Sequence, residues 1–153
     1  MIFRVVFSRK VIYLFDLIVT WIFGAILLIS AFPHWQNPYY FLGSVYGYKL
    51  VDPGIGQITA MALPVVQLGL AFFLLTRTLL NAAHLVTLGL FFCFATVQTT
   101  AYLRGLDITC GCFGPGHEST IGPVSLSFIF SLLALSILRN LFIFFTKKEL
   151  LNP

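Results

Sequence analysis

The chain has 153 residues, of which 59% are hydrophobic, 16% aromatic and only 9% charged, and its formal net charge is +4. Soluble domains carry about 25% charged residues, so this composition excludes a water-covered globule and requires lipid as the main solvent. The nine Lys and Arg residues lie mostly between apolar runs and build no dense basic patch, which excludes nucleic acid as a partner.

Four apolar runs, at 11–32, 58–76, 79–103 and 121–145, approach or exceed the roughly 20 residues that cross a hydrocarbon core as helix. The first outlasts the apolar region of a signal peptide and has no convincing small-residue cleavage site before "PHWQNP"; it is expected to remain as an anchor. Asp16 lies about two turns from its inner end, near enough to pair with a basic residue or to sit in a wet crevice.

The loop from Pro33 to Gly56 follows. Asn37 can cap a helix and Pro38 can occupy its first turn, while Trp35, Tyr39, Tyr40, Tyr46 and Tyr48 favour the headgroup zone. The pattern predicts a short interfacial helix ending near "DPG", either a plain aromatic anchor or a lid over the outer mouth of a bundle. In the second run Pro64 can free a carbonyl one turn from Gln67, whose amide either satisfies it or bonds another helix. Arg77 and Thr78 then make a tight hairpin into the third run.

On the third run Asn81 and His84 share a face, and His84 reads as a bonded core residue. Cys93, deep in the run, reads as a buried and inert small apolar residue. Gln98, Thr99 and Tyr102 reach the outer end. In the fourth run Arg139 is expected to snorkel to the interface. The fold class is all-α, a single integral membrane four-helix bundle with a short interfacial helix in its first outer loop.

Positive residues gather on the inner side of a membrane. Arg4, Arg9, Lys10, Arg77, Lys147 and Lys148 fall on one face and only Lys49 and Arg104 on the other. Both termini are therefore expected in the cytoplasm of a plasma (inner) membrane, with the loop "RGLDITCGCFGPG" periplasmic or otherwise extracytoplasmic, where disulfides persist.

That loop holds Cys110 and Cys112 with Gly111 between them. A C-x-C ring is small, and a strained disulfide suits exchange better than scaffolding. Arg104 and His117 are the nearby cations in sequence that could favour a thiolate. A static brace, or a metal site completed by His117, are the competing readings; the cysteine spacing and ligand count disfavour the metal, and none is predicted.

The four-span plan with "LRGLDITCGCFG" at 103–114 resembles the methylamine-utilisation protein MauE, within the DoxX-like small membrane proteins. The resemblance implies assistance to disulfide formation or maturation of exported enzymes, notably a methylamine dehydrogenase subunit, beside a thioredoxin-like partner. It makes Cys110 and Cys112 the redox pair of a thiol-disulfide oxidoreductase, with Arg104, Gly105 and Asp107 shaping their loop. Gln67 stands where the DoxX-like pattern commonly has an acid. A quinone is the cofactor considered, with Gln98, Tyr102, His34 and Trp35 as candidate contacts for its head or for a protein partner. Membrane lipid, an exported thioredoxin-like protein and a disulfide-containing client are the expected partners. The alternatives are a non-catalytic assembly factor or docking anchor whose bridge is structural and, less favoured, a small-molecule transporter, which lacks a detectable inverted repeat.

Overall fold

The computed structural model describes residues 2–50, 52–110 and 120–151, with side chains described between 10 and 146. Its helices are α1 (Ile2–Gln36), α2 (Pro38–Gly47), α3 (Pro53–Leu75), α4 (Leu80–Leu103) and α5 (Pro123–Leu151). Four stretches, Lys10–Gln36, Pro53–Leu75, Leu80–Leu103 and Pro123–Thr146, are long and apolar enough to cross a membrane. The protein is thus an all-α, multi-pass membrane bundle. Large apolar side chains such as Ile58, Phe92 and Leu138 point outward, as a surface solvated by lipid requires.

Prolines decide where several helices begin. α3 and α2 each start with proline in the first turn, behind Asp52 and Asn37 as N-caps, where the missing amide hydrogen costs nothing. The "DPG" stretch therefore opens α3 and does not end α2. The interfacial helix stops earlier, at Gly47, and Lys49 follows in a left-handed conformation (φ 50°). Asn37 occupies the cap position without a side-chain cap bond. α1 runs a turn beyond Phe32 because the Pro33 carbonyl still accepts from the Asn37 amide at 2.9 Å, although proline has lost its own donor.

Val19, Phe23, Leu27 and Ala31 repeat every four residues on α1 and are all buried, a single helical stripe. The stripe packs on Leu70, Ala71 and Leu74 of α3, and Phe91 of α4 with Ile129 and Leu132 of α5 complete the core. Phe23 and Phe91 meet edge to face at 5.2 Å. Gly24 sets the approach of α1 to α3, because a Cβ there would stand 2.8 Å from Leu75 Cδ2; small residues allow close helix packing where lipid supplies no hydrophobic drive.

At the end of the bundle that holds the α3–α4 turn the core becomes ionic. Asp16 Oδ1 accepts from Arg139 Nε at 2.8 Å, and its Oδ2 accepts from Arg77 Nη2 at 2.9 Å. Arg139 is 2% exposed and also reaches Asn81 Oδ1 at 3.5 Å. It does not snorkel. A carboxylate on the facing helix offers more to a guanidinium than a distant interface does, since an unpaired charge in either partner would be stranded in low dielectric. Beside it the Thr20 hydroxyl donates to the Asp16 carbonyl at 2.6 Å. Its oxygen is left to accept from His84 Nε2 at 3.0 Å, so His84 is a bonded core residue with its proton on Nε2. Two transmembrane helices, α1 and α5, and the α3–α4 turn thus meet at one carboxylate, and α4 joins them through Asn81 and His84.

Removing that carboxylate should be more damaging than removing the whole pair. Asp16→Ala is expected to destabilise the bundle by about 3–5 kcal/mol, the cost of breaking one side of a buried ion pair. The double variant Asp16→Leu, Arg139→Met should recover more than half of the loss, because the fully buried guanidinium is gone as well and that of Arg77, 27% exposed in its side chain, can turn to water. Thermal unfolding in detergent reads both, and a double variant as unstable as the single one would contradict the account.

Candidate functional site

The site is assembled by the end of α4. Leu106 N donates to Ala101 O at 3.1 Å and Gly105 N to Tyr102 O at 3.0 Å, the paired bonds of a Schellman cap. Gly105 takes the left-handed residue of that cap, with φ 63°, which a residue bearing a Cβ adopts only at a cost. The cap turns the chain back so that Leu106 and Ile108 pack around Ala101, Cys110 and Ile121. Thr109 pairs with Thr120 in an antiparallel bridge, and Ile121 N donates to Ile108 O at 3.0 Å. The two strands of the loop's stem are tied at that point. Residues 111–119 lie outside the described residues, and with them Gly111, Cys112 and His117, so the metal alternative that needs His117 falls there too.

Cys110 is disulfide-bonded and nearly buried, at 9% exposure. Its sulfur accepts from Gln98 Nε2 at 3.2 Å. Gln98 is itself 2% exposed, and the Ser125 hydroxyl of α5 donates to its Oε1 at 3.0 Å. Ser125 therefore fixes which end of the amide faces the sulfur. A donor held against sulfur in a low-dielectric setting stabilises any negative charge that develops there.

The loop is held from the other side by the segment after α2. Tyr48 donates its hydroxyl to the Cys110 carbonyl at 3.2 Å, and Arg104 Nη1 donates to the carbonyls of Tyr48 (3.3 Å) and Lys49 (3.4 Å). Arg104 thus acts as a strap between loops. Burial pushes the Tyr48 phenol up to about 12, so it remains a donor across the physiological range. Asp107 is exposed on the loop.

The remaining sequence candidates divide. Gln98 joins the site, whereas Tyr102 (46% exposed) and Trp35 (64% exposed) face outward. His34 is buried and stacks on Phe41 of α2 with centroids 3.9 Å apart, so it anchors the interfacial helix. Thr99 returns its hydroxyl to Ala95 O of its own helix at 2.6 Å. Cys93 carries a free thiol and is exposed on α4, contrary to the buried position expected of it. Its helical phase turns it away from the face of Phe91 and Ala95. It borders a cavity of about 180 Å³ that also touches Tyr48 and Cys110.

A second cavity, of about 270 Å³, lies beneath Cys110 and descends between α1, α4 and α5 to Gln67. Gln67 is 1% exposed, and its Nε2 donates to Ser30 Oγ of α1 at 3.4 Å. It bonds another helix and leaves Pro64 to itself. Sequence reading passed over Tyr48, Ser125 and Ser30 as site residues. Serines on transmembrane helices facing glutamines on others are the signal that could have raised the last two.

The family model described as methylamine utilisation protein MauE matches residues 12–145. The chain belongs to the MauE family. The matched region reaches all four membrane-crossing segments and includes the loop that carries Cys110. MauE membership links this membrane protein to methylamine utilisation. No curated protein and no solved structure is significantly similar to the chain.

Tyr48 supplies a pH test of loop docking. A phenol whose folded value is raised contributes stability that is complete below its unfolded value near 10 and is lost as pH climbs through about 12. The stability difference between wild type and Tyr48→Phe, followed by thermal unfolding in detergent, should be constant up to about pH 10 and vanish or invert toward pH 12. A difference already changing at neutral pH would refute this role.

Proposed function

We propose that the protein is a membrane-bound thiol-disulfide oxidoreductase that supports disulfide formation in exported proteins, in the MauE context the maturation of a methylamine-oxidising enzyme. The observation that carries the reading is the Cys110 sulfur, disulfide-bonded, nearly buried and facing the Gln98 amide. A structural brace needs no oriented donor at sulfur. An exchanging disulfide gains from one, because one sulfur must leave as thiolate.

Cys112 is assigned as the bonding partner of Cys110 and as the sulfur that meets the protein partner. The partner is an exported thioredoxin-like protein carrying a dithiol. Its thiolate attacks Cys112, the Cys110–Cys112 bond breaks, and Cys110 departs as a thiolate that accepts from Gln98 Nε2. The second thiol of the partner, once deprotonated, then attacks the mixed disulfide. The partner leaves oxidised and both loop cysteines are left reduced. Burial of Cys110 supports the division of labour, since a bulky protein thiol reaches an outer sulfur more readily than one packed among Ala101, Tyr48 and Ile121. The six-to-two distribution of positive residues supports a cytoplasmic location for both termini and an extracytoplasmic loop.

Cys110→Ser leaves Cys112 as a lone thiol, which should accumulate a mixed disulfide with the oxidised thioredoxin-like partner, because the loop thiol that completes the reverse exchange is gone; Cys112→Ser should accumulate far less. Non-reducing electrophoresis with mass spectrometry identifies the adduct. If the variant lacking both loop cysteines matures its client as well as wild type at equal membrane levels, the bridge is a brace and the docking-anchor reading takes over.

Gln98→Leu should retain the bundle yet slow opening of the bridge by reduced glutathione about tenfold, the scale of losing a hydrogen bond to a charged group. Ser125→Ala should slow it less, because it only orients the amide. Stopped opening reactions quantified by thiol alkylation give both rates, and an unchanged Gln98→Leu rate would remove the leaving-group role.

A further inference from the structure

The cavity beneath Cys110 has features that helix packing does not require. It is lined by apolar residues of α1, α4 and α5, among them Leu27, Phe94 and Ile129, and its polar groups are few: Ser30, Gln67, Gln98, Thr120, Ser125 and the sulfur of Cys110. Gln67 Oε1 is buried and has no hydrogen-bond partner among the described residues. Turning the amide over would let Oε1 face Ser30 and strand the NH2 group instead. One end of a deeply buried amide is therefore left without protein partners, and such a group costs about 1–3 kcal/mol unless something satisfies it. An acyl chain has nothing to offer an amide.

The cavity also communicates with the bilayer. Val124 and Phe128 of α5 line it while being 83% and 45% exposed. α1 and α5 are clamped at the end that holds the α3–α4 turn by Asp16–Arg139 and by Phe15 against Phe142, and higher up their side chains stand on two sides of the cavity. Its volume of about 270 Å³ falls just under the roughly 300 Å³ of sites that enclose a whole drug-sized ligand. A single substituted ring fits; a long apolar tail must leave into lipid.

We propose that this cavity binds a lipid-borne quinone, with its head bonded to the Gln67 amide and its ring below the Cys110 sulfur, and that the quinone reoxidises the loop cysteines. The inference rests on the dithiol reading above and identifies the acceptor that reading requires. An amide suits this task because its N–H can donate to a quinone carbonyl and its carbonyl can accept from a quinol hydroxyl, so both redox forms are held. In the net step two S–H bonds break and one S–S bond forms between Cys110 and Cys112. Two electrons and two protons pass to the quinone, whose two carbonyl oxygens become hydroxyls. The buried Cys110 thus lies against the site of the lipid-soluble oxidant. The contacts fall on Gln67 and Ser30 at mid-bundle, and the outward-facing Tyr102 and Trp35 take no part.

The test uses the full-length protein in quinone-free phosphatidylcholine nanodiscs with decylubiquinone as probe. Pre-reduced wild type should form one equivalent of quinol per protein, and the variant lacking both loop cysteines should bind the probe without reducing it. Gln67→Leu should weaken binding about tenfold while leaving mixed-disulfide formation with a thioredoxin-like protein unchanged. Ile129→Trp, which fills the cavity, should block binding, and retention of that same mixed-disulfide formation shows that the variant is folded. Binding indifferent to both cavity variants, or no quinol from reduced wild type that still exchanges with the thioredoxin-like protein, would overturn the proposal. Gln67-dependent binding by a protein that forms no mixed disulfide would sustain the site and remove the exchange reading instead.

Discussion

One carboxylate organises the bundle. Asp16 is the point at which α1, α5 and the α3–α4 turn converge, each of its oxygens taken by a different guanidinium. In water such a pair would contribute little, but within lipid the alternative for each member is an uncompensated charge in a medium that cannot solvate it. Helix packing in a bilayer lacks the hydrophobic drive of soluble cores, so an obligatory polar contact at one level can fix the register and rotation of several helices at once. The cluster carries one positive charge in excess, and Arg77, 27% exposed in its side chain, faces the side where the excess can be hydrated.

The clamp sits at the end of the bundle that holds the α3–α4 turn, and the opposite half holds no such ion pair among the described residues. There the chain replaces ionic contact with neutral hydrogen bonds, Ser30 to Gln67 and Ser125 to Gln98, and with the cavity between them. The helix end at Leu103 and its glycine cap return the chain over this opening, and Tyr48 and Arg104 fasten the returning loop to the segment after α2. Cys110 is thereby held at a boundary, with apolar space below and the loop stem above.

Legibility in the sequence varied with the range of the physics involved. The spans were visible because a hydrocarbon core imposes a length and a composition on any helix that crosses it, and the hairpin at Arg77 was visible because almost no residues separate two apolar runs. The interfacial helix was visible from Asn37, Pro38 and the aromatic residues, but its end was misplaced because proline after aspartate opens a helix as readily as it closes one. Arg139 was misjudged for a similar reason. Its position near the end of a span suggested escape to water, and only the facing Asp16 gave it a nearer solution. Cys93 was misjudged because depth along a helix says nothing about which way a residue faces.

By itself the sequence determined the solvent of this protein, the number of its crossings, the glycine that caps α4 and the pair of thiols in a short loop, since each follows from composition or from residues a few positions apart. The tertiary structure alone decided which charges meet, that Gln98 lies against the Cys110 sulfur, that Tyr48 and Arg104 join two loops more than fifty residues apart, and that a cavity connects Gln67 to Cys110. Those contacts depend on how each helix is rotated about its axis. That rotation is set jointly by all the helices packed around it, and no local stretch of sequence contains it.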